Sequence, residues 1–423
     1  QFMSAMYQAL DASRMAKVAT LLGHTTDAEM YAAEAQRVID LAKEKYVDEN
    51  DNLLSVSADG FDRGFLIDLF KDNSQTSIIW ALKMGMYDSE AQKQNFIDDL
   101  LIKIENKTRT ERFNSGENRL STGFLGVNEL LPVLSENELS NKAYDLLLQD
   151  QMPSWLNEVR LGATTTWERW NAYTEEYGFD DYGMNSFNHY AYGSVVEWMV
   201  EYMAGIQKDE QNPGFKHIIL QPTMDTGDQY NDQERINSVK AQFDSSYGTI
   251  VSNWTSNEGE LNTYEAVVPT NTTATLYLPI EDVTVAQDIP GVKYQGSLER
   301  FGAKVAQFEL QSGGYKFSIN NGVLNAELMD GYIYIEPSAS ETKNIVEQLK
   351  EEGEFADDEA PRSLLLHLTA VNHYENQNNA EKVVKHMGGF KALLDNQKDN
   401  RFISDKAYHT LMDQANALIE MWK

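Results

Sequence analysis

The chain has 423 residues, with 66 acidic against 35 basic side chains and a net charge of −31. A surface this acidic repels phosphate backbones and anionic lipid, which argues against nucleic-acid and membrane partners and, more weakly, against a highly anionic polymer as substrate. The absence of cysteine excludes disulfides, thiolate metal sites and a cysteine nucleophile, and no apolar run is long enough to span a bilayer. The length suggests two to four domains. Aromatic residues make up 11%; most should fill cores, while some can line a sugar cleft, because pyranose C–H faces pack on aromatic rings. The chain starts at Gln1 and shows no signal peptide, so it reads as a processed or excised piece of a longer protein.

Residues 1–210 read as helices joined by short loops. Phe2, Met6 and Leu10 share one helix face, and Gly23 follows that segment. Thr26 and Glu29 form a capping-box pattern ahead of the stripe Tyr31, Ala35, Val38, Ala42 and Tyr46. Ser135 and Glu138 repeat the cap signal before Leu139, Ala143 and Leu146. Paired amphipathic helices of this length suggest an array of α-hairpins, of which a helical toroid is one form. After Pro213 the pattern changes to short alternating runs. Ile250, Ser252 and Trp254 precede the turn Asn257-Glu258-Gly259, which leads into Leu261, Thr263, Glu265 and Val267. Thr275–Leu278 and Tyr315–Ile319 read as further strands, so residues 211–335 are expected to form a β-sandwich. From residue 340 to 423 the periodicity is helical again. Ile345, Val346 and Leu349 lie on a helix ending by Gly353, Asp357 to Pro361 give a helix start, and further helices fall at about 379–397 and 404–422.

The densest concentration of chemistry is Gly162-Ala163-Thr164-Thr165-Thr166-Trp167-Glu168-Arg169-Trp170. Two tryptophans flanking a carboxylate can supply a sugar platform and exclude water, the arginine can hold Glu168 ionised and aimed, and such a carboxylate can activate a water. The same residues also read as a surface Glu168–Arg169 pair beside two core tryptophans. Some twenty residues on, Gly183 to Gly193 opens a helix running through Trp198 to Met203. Asn185, Asn188 and His189 crowd polar groups at its start, for sugar hydroxyls or simply for capping. His367, His373 and His386 read as surface or structural histidines, since no acidic or His partner shows ligand spacing, and no metal or other cofactor is expected.

The two central motifs together resemble the bacterial α-L-rhamnosidase family. The likeness extends over Ser74–Ser77, Ser121–Gly126, Leu130–Pro132, Ala143–Gln149, Pro153–Leu156, Gly162–Trp170, Gly183–Gly193, Pro213–Ile218, Ser246–Gly248, Val268–Pro269 and Asn271–Ala274. It implies an (α/α)6 toroid followed by a β-sandwich, hydrolysing terminal α-L-rhamnosides with inversion. Glu168 would be the general base, His189 would touch the rhamnose, and Trp167, Arg169, Trp170 and Asn188 would line the same site. Thr166 and Met152 depart from common family residues. The family's general acid lies upstream in an Arg-x-Glu-Arg-type motif followed by Leu-Gly-Trp. Arg109-Thr110-Glu111-Arg112 echoes it only superficially, because it lies too late in the chain and is followed by Phe113-Asn114-Ser115-Gly116. A toroid needs twelve helices, and residues 1–210 supply only about half of them by periodicity. The resemblance therefore implies the C-terminal part of the catalytic domain, with the missing N-terminal half of the enzyme as a partner. The last module, residues 340–423, resembles the FIMAH domain, which is appended to many extracellular hydrolases of Gram-positive bacteria; a secreted or cell-surface location follows as an expectation. Rhamnose-containing glycosides or plant and bacterial polysaccharides are the expected partners. Two other readings stand beside this one: a related (α/α)6 glycosidase acting on another terminal sugar such as a uronate, and a non-catalytic carbohydrate-binding protein.

Overall fold

The computed structural model describes residues 1–54, 74–105, 118–180, 185–228, 230, 234–280, 284–285, 289–320, 323–329 and 337–423. The stretch Arg109–Arg112, with its superficial echo of an acid motif, lies outside the described residues, as do Gly183 and Met184.

The first region is helical: α1 (Phe2–Leu21), α2 (Thr25–Tyr46), α3 (Gln75–Lys83), α4 (Glu90–Glu105), α5 (Val127–Glu136), α6 (Ser140–Leu148) and α7 (Trp155–Arg160). Among the described residues these are fewer helices than a complete (α/α)6 ring holds. Phe2 and Met6 turn inward on α1, as their spacing predicts, and Ala35, Val38, Ala42 and Tyr46 do so on α2. Ser74 caps α3 in a reciprocal capping box with Ser77. The two caps expected from the sequence do not form. α2 begins at Thr25 with no side-chain cap, so Thr26 lies inside its first turn. Ser135 is buried in the last turn of α5, where its hydroxyl accepts the indole N–H of Trp198 at 3.0 Å. In both places the helix extends past the expected cap residue, and at Ser135 the Trp198 indole takes up the hydroxyl.

After α7 the backbone is irregular. A two-residue hairpin, β1 (Tyr173–Thr174) with β2 (Gly178–Phe179), is followed by a 3-10 turn at Ala191–Ser194, a single α-turn α8 (Val195–Trp198) and a π-turn at Met199–Met203. The helix expected through Trp198 to Met203 is thus three short pieces of different pitch, none with a side-chain N-cap bond.

The strands follow in order: β3 (Ile206–Lys208), β4 (His217–Leu220), β5 (Ser238–Ser245), β6 (Gly248–Asn257), β7 (Glu260–Val268), β8 (Thr273–Leu278), β9 (Thr284–Val285), β10 (Val292–Arg300), β11 (Ala303–Leu310), β12 (Gly313–Asn320) and β13 (Val323–Leu328). They form a five-stranded sheet, β10-β11-β8-β4-β3, and a six-stranded sheet, β5-β6-β7-β12-β13-β9. Phe308 of the first meets Phe317 of the second with ring centroids 5.5 Å apart, so the two sheets share one interior. The turn between β6 and β7 sits at Glu258 and Gly259, both at positive φ. One face assignment changes. A register shift at Thr255/Ser256 puts Tyr264, Ala266 and Val268 inside rather than Thr263 and Glu265, because a bulge swaps the alternation.

The helical region and the sheets share one apolar core. Gly205 makes the junction: it has φ +82°, and a Cβ there would lie 2.1 Å from the carbonyl carbon of Gln221. Arg235 bonds Asp145 of α6 at 2.6 Å and, through Nε, Asp225 at 2.9 Å, which ties the helices to the linker ahead of β5. The last four helices, α9 (Ala339–Glu351), α10 (Glu359–Glu375), α11 (Ala380–Asp399) and α12 (Asp405–Met421), have a core of their own. This module touches the sheets through polar groups: Lys216 pairs with Asp413, and the Gln414 amide donates to Asn271 Oδ1 at 3.0 Å.

Candidate active site

The expected site residues come from two irregular segments, 163–170 and 185–190, that lie side by side. Irregular backbone must place its polar groups somewhere, and here each segment satisfies the other. The Glu168 N–H donates to Ser186 O at 2.8 Å, and the Ser186 N–H donates to Glu168 Oε2 at 2.7 Å. The His189 N–H donates to Thr166 O at 2.9 Å, and the Thr166 hydroxyl donates to His189 O at 2.6 Å. The Thr165 hydroxyl donates to Phe187 O. Glu168 and His189, about twenty residues apart in sequence, are thereby held in fixed register.

The Glu168 carboxylate is aimed by the backbone. Glu168 takes the Ser186 N–H, and a backbone donor orients a carboxylate with no side-chain freedom to lose. Arg169, read from the sequence as the group that aims Glu168, pairs with Asp180 at 3.4 Å, which also accepts from Asn171 at 3.3 Å. The tryptophans sit deeper than an open platform would require. Trp167 is 5% and Trp170 is 9% exposed. Trp170 stacks on Tyr192 at 3.8 Å, meets Trp155 edge-on at 5.5 Å, and donates its indole N–H to Thr122 O at 3.3 Å. Trp167 packs edge-on against Phe187. The core reading of these two rings is the one the structure supports: they carry the loop on which Glu168 stands.

His189 is half-buried between two rings, with its imidazole stacked on Phe124 at 4.4 Å and on Tyr190 at 5.4 Å. Its Nδ1 accepts the Ala191 N–H at 3.3 Å. An imidazole nitrogen that accepts carries no proton, so the hydrogen sits on Nε2, which becomes a donor. Asn188 is exposed, and its backbone N–H donates to the Ser186 hydroxyl at 3.2 Å. Asn185 is not a helix cap: its amide donates to Ala172 O at 3.1 Å and Asp180 O at 3.3 Å, closing the β1–β2 hairpin against the site.

Two ionisable residues escaped the sequence reading. Glu158, on α7, is 3% exposed, and its Oε2 accepts the Trp167 N–H at 3.3 Å. Burial pushes its carboxyl up to about 7, although the Trp167 N–H pulls the other way. Tyr192 is buried, and burial together with the negative charges of Glu158 and Glu168 pushes its phenol up to about 12, against the pull of Arg169. Tyr192 lies within the Gly183–Gly193 stretch, whose pattern does not mark its burial. Glu158 looks like any helix-surface glutamate, and only the packing of 163–167 over α7 buries it.

No group of three or more His, Asp or Glu side chains positioned to hold a metal occurs among the described residues, and none of their helices is long and apolar enough to cross a membrane.

Comparison with known proteins gives matches along most of the chain. Residues 1–203 match the model of the bacterial α-L-rhamnosidase six-hairpin glycosidase domain, residues 205–292 that of the bacterial α-L-rhamnosidase C-terminal domain, and residues 339–420 that of the FIMAH domain. Among curated proteins, an α-L-rhamnosidase of Formosa agariphila is 37% identical over 49% of this chain and 20% of its own length. One from Streptomyces avermitilis is 33% identical over 59% of this chain and 22% of its own length. The chain thus spans about a fifth of the length of these relatives. Among solved structures, Streptomyces avermitilis α-L-rhamnosidase complexed with L-rhamnose aligns at TM-score 0.54 and 30% identity, over 75% of this chain and 26% of that one. The Dictyoglumus thermophilum α-L-rhamnosidase aligns at TM-score 0.54 and 25% identity, over 74% of this chain and 31% of that one. In chain order, residues 1–203 and 205–292 are thus similar to the six-hairpin and C-terminal domains of the bacterial α-L-rhamnosidases, and residues 339–420 behind them to the FIMAH domain.

Proposed function

We propose that this chain supplies the base side of an inverting site that removes terminal α-L-rhamnose from rhamnosides, with Glu168 as the general base. The observation that carries the reading is the pair of bonds between Glu168 and Ser186, 2.8 Å and 2.7 Å, which fix both the backbone and the carboxylate of one residue. A carboxylate so held can take a proton from water as that water attacks the anomeric carbon. The glycosidic C–O bond breaks on the opposite face, and the leaving oxygen takes a proton from an acid. Inversion needs the two carboxyl groups roughly 6.5–9.5 Å apart so that the water fits between them. The acid is expected on a segment upstream of residue 1, as part of the same protein or as its associated half. His189, with its proton on Nε2, donates to a rhamnose hydroxyl, and its two stacked neighbours stop the ring from turning. Asn188 lies at the rim, where an exposed amide can meet sugar hydroxyls. The FIMAH domain supports a location outside the cell, as a secreted or surface enzyme of a Gram-positive bacterium.

The experiment is hydrolysis of a nitrophenyl α-L-rhamnoside by the whole protein, with the anomer released first followed by NMR. Turnover that gives the inverted anomer supports the reading. No turnover on rhamnoside, with turnover on a nitrophenyl glucuronide, would replace it with a uronate-specific enzyme.

A further inference from the structure

Glu158 holds the loop ahead of the base at both ends. Its backbone carbonyl accepts the Ala163 N–H at 3.0 Å, and its side-chain Oε2 accepts the Trp167 N–H at 3.3 Å. The five residues 163–167 are thus closed on one residue of α7, whose own start is capped by Ser154. The amide after Trp167 belongs to Glu168 and is bound to Ser186 O. The two N–H groups on either side of the Trp167 α-carbon are therefore anchored to different parts of the chain, and between them they set the direction in which the chain enters Glu168. The second oxygen of Glu158, Oε1, is buried with no hydrogen-bond partner among the described residues. An unmatched buried acceptor is costly, so an apolar side chain would serve packing better.

We propose that Glu158 is a positioning residue for Glu168, which fixes the base carboxylate by clamping the 163–167 loop from below. The proposal rests on reading Glu168 as the base. The charged and titratable groups around it are Tyr192, from the 3-10 turn, with Arg169 and Glu168 beyond it, and Arg160 on its own helix, which bonds Asn157 at 3.3 Å. Burial brings the Glu158 carboxyl to about 7, so near neutrality it passes between a neutral acceptor and a stronger, charged one for the Trp167 N–H.

The test uses the whole protein with wild type, Glu158→Gln and Glu158→Leu. Wild-type turnover on nitrophenyl rhamnoside is measured first; its absence counts against the reading of Glu168 and is distinct from any failure of the Glu158 role. Gln keeps an acceptor for the Trp167 N–H, whereas Leu removes it along with the unmatched oxygen. Glu158→Gln should keep kcat within about threefold of wild type. Glu158→Leu should lose about tenfold or more in kcat with KM within about twofold, and with no loss of thermal stability, as expected when a catalytic group is misplaced in an intact fold. Selective 15N labelling of tryptophan gives a readout independent of activity. The Trp167 amide, assigned by its loss in Trp167→Phe, should shift with a midpoint near pH 7 in wild type and stay flat in Glu158→Gln. Unchanged kcat in Glu158→Leu would overturn the proposal. So would a flat Trp167 amide in wild type, which holds even if the Leu variant does not fold.

Discussion

The segments that form the candidate site and the C-terminal FIMAH domain are built on opposite principles. In the four-helix domain, α9 to α12 bury one apolar stripe each, and Val346, Leu364, Leu368, Met387, Phe390, Leu394 and Leu411 meet in a closed core. Its helix starts are local: Ser338 caps α9, Asn379 caps α11, and Asp357 accepts the first amides of α10 at 2.9 Å. Around Glu168, by contrast, almost nothing is local. The backbone is irregular, and the bonds of Thr165, Thr166 and Glu168 run to residues about twenty positions away. Regular helices satisfy their own polar groups and leave side chains free to pack. Irregular loops must borrow partners, and it is this borrowing that fixes functional side chains in place.

The largest expected effect lies in the loops and leaves the fold untouched. Glu168→Gln in the whole protein should lower kcat by ~10²–10⁴-fold, because Gln keeps the shape and can still accept the Ser186 N–H but takes no proton from water. Near-normal kcat in that variant, by the nitrophenyl assay, would remove the base assignment. The mirror image is a core change in the FIMAH domain. Phe390 is fully buried, and Phe390→Ala should cost about 3–5 kcal/mol of that domain's stability. Calorimetry should show one transition move while turnover of a small rhamnoside stays within about twofold; a parallel loss of turnover would mean the two regions are coupled.

A smaller effect is expected at His189. Its Nε2–H is proposed to make one neutral hydrogen bond to the sugar, worth about 0.5–1.5 kcal/mol, so His189→Ala should raise KM by roughly 2–10-fold with near-normal thermal stability. A drop in stability without a change in KM would make His189 part of the packing alone. The pH dependence of stability should separate Glu158 from the rest. Its carboxyl is raised by burial from 4.5 to about 7, so between those values the folded state holds a proton that the unfolded state has lost. The contribution of Glu158 to folding stability should therefore fall as pH rises through this window and level off above it. The fall should be smaller in Glu158→Gln, as read by urea midpoints at pH 5 and pH 8. Deleting residues 337–423 should have the least effect, leaving hydrolysis of a small rhamnoside within about twofold of the intact protein. The deleted domain has its own core and meets the sheets through polar pairs such as Gln414–Asn271.

Much of this was legible beforehand. The switch from period 3.6 to period 2 near Pro213 and back again near Ser340 marks the order helices, sheets, helices, because apolar periodicity is imposed by burial on one face. The stripe of α2, the Glu258–Gly259 turn, the end of α9 and the start of α10 also read directly, since each depends on residues within one or two turns of chain. Glu168 and His189 stand out through their motifs, and the structure lays the two segments side by side. What the sequence led astray was also local. Thr26 and Ser135 have capping chemistry but lie inside helices, and the bulge between Leu261 and Thr263 reverses the face for Thr263 and Glu265.

The sequence by itself determined the class of each region and which residues can act, since residue chemistry and one-face burial are properties of short windows. Only the tertiary structure decided how they act. It set the Ser186 amide against the Glu168 carboxylate and Asp180 against Arg169, turned Trp167 and Trp170 inward, left His189 Nδ1 accepting the Ala191 N–H, and buried Glu158 against the Trp167 amide. Each of these depends on which distant backbone group arrives beside a side chain, and that is set by packing, which no short window of sequence contains.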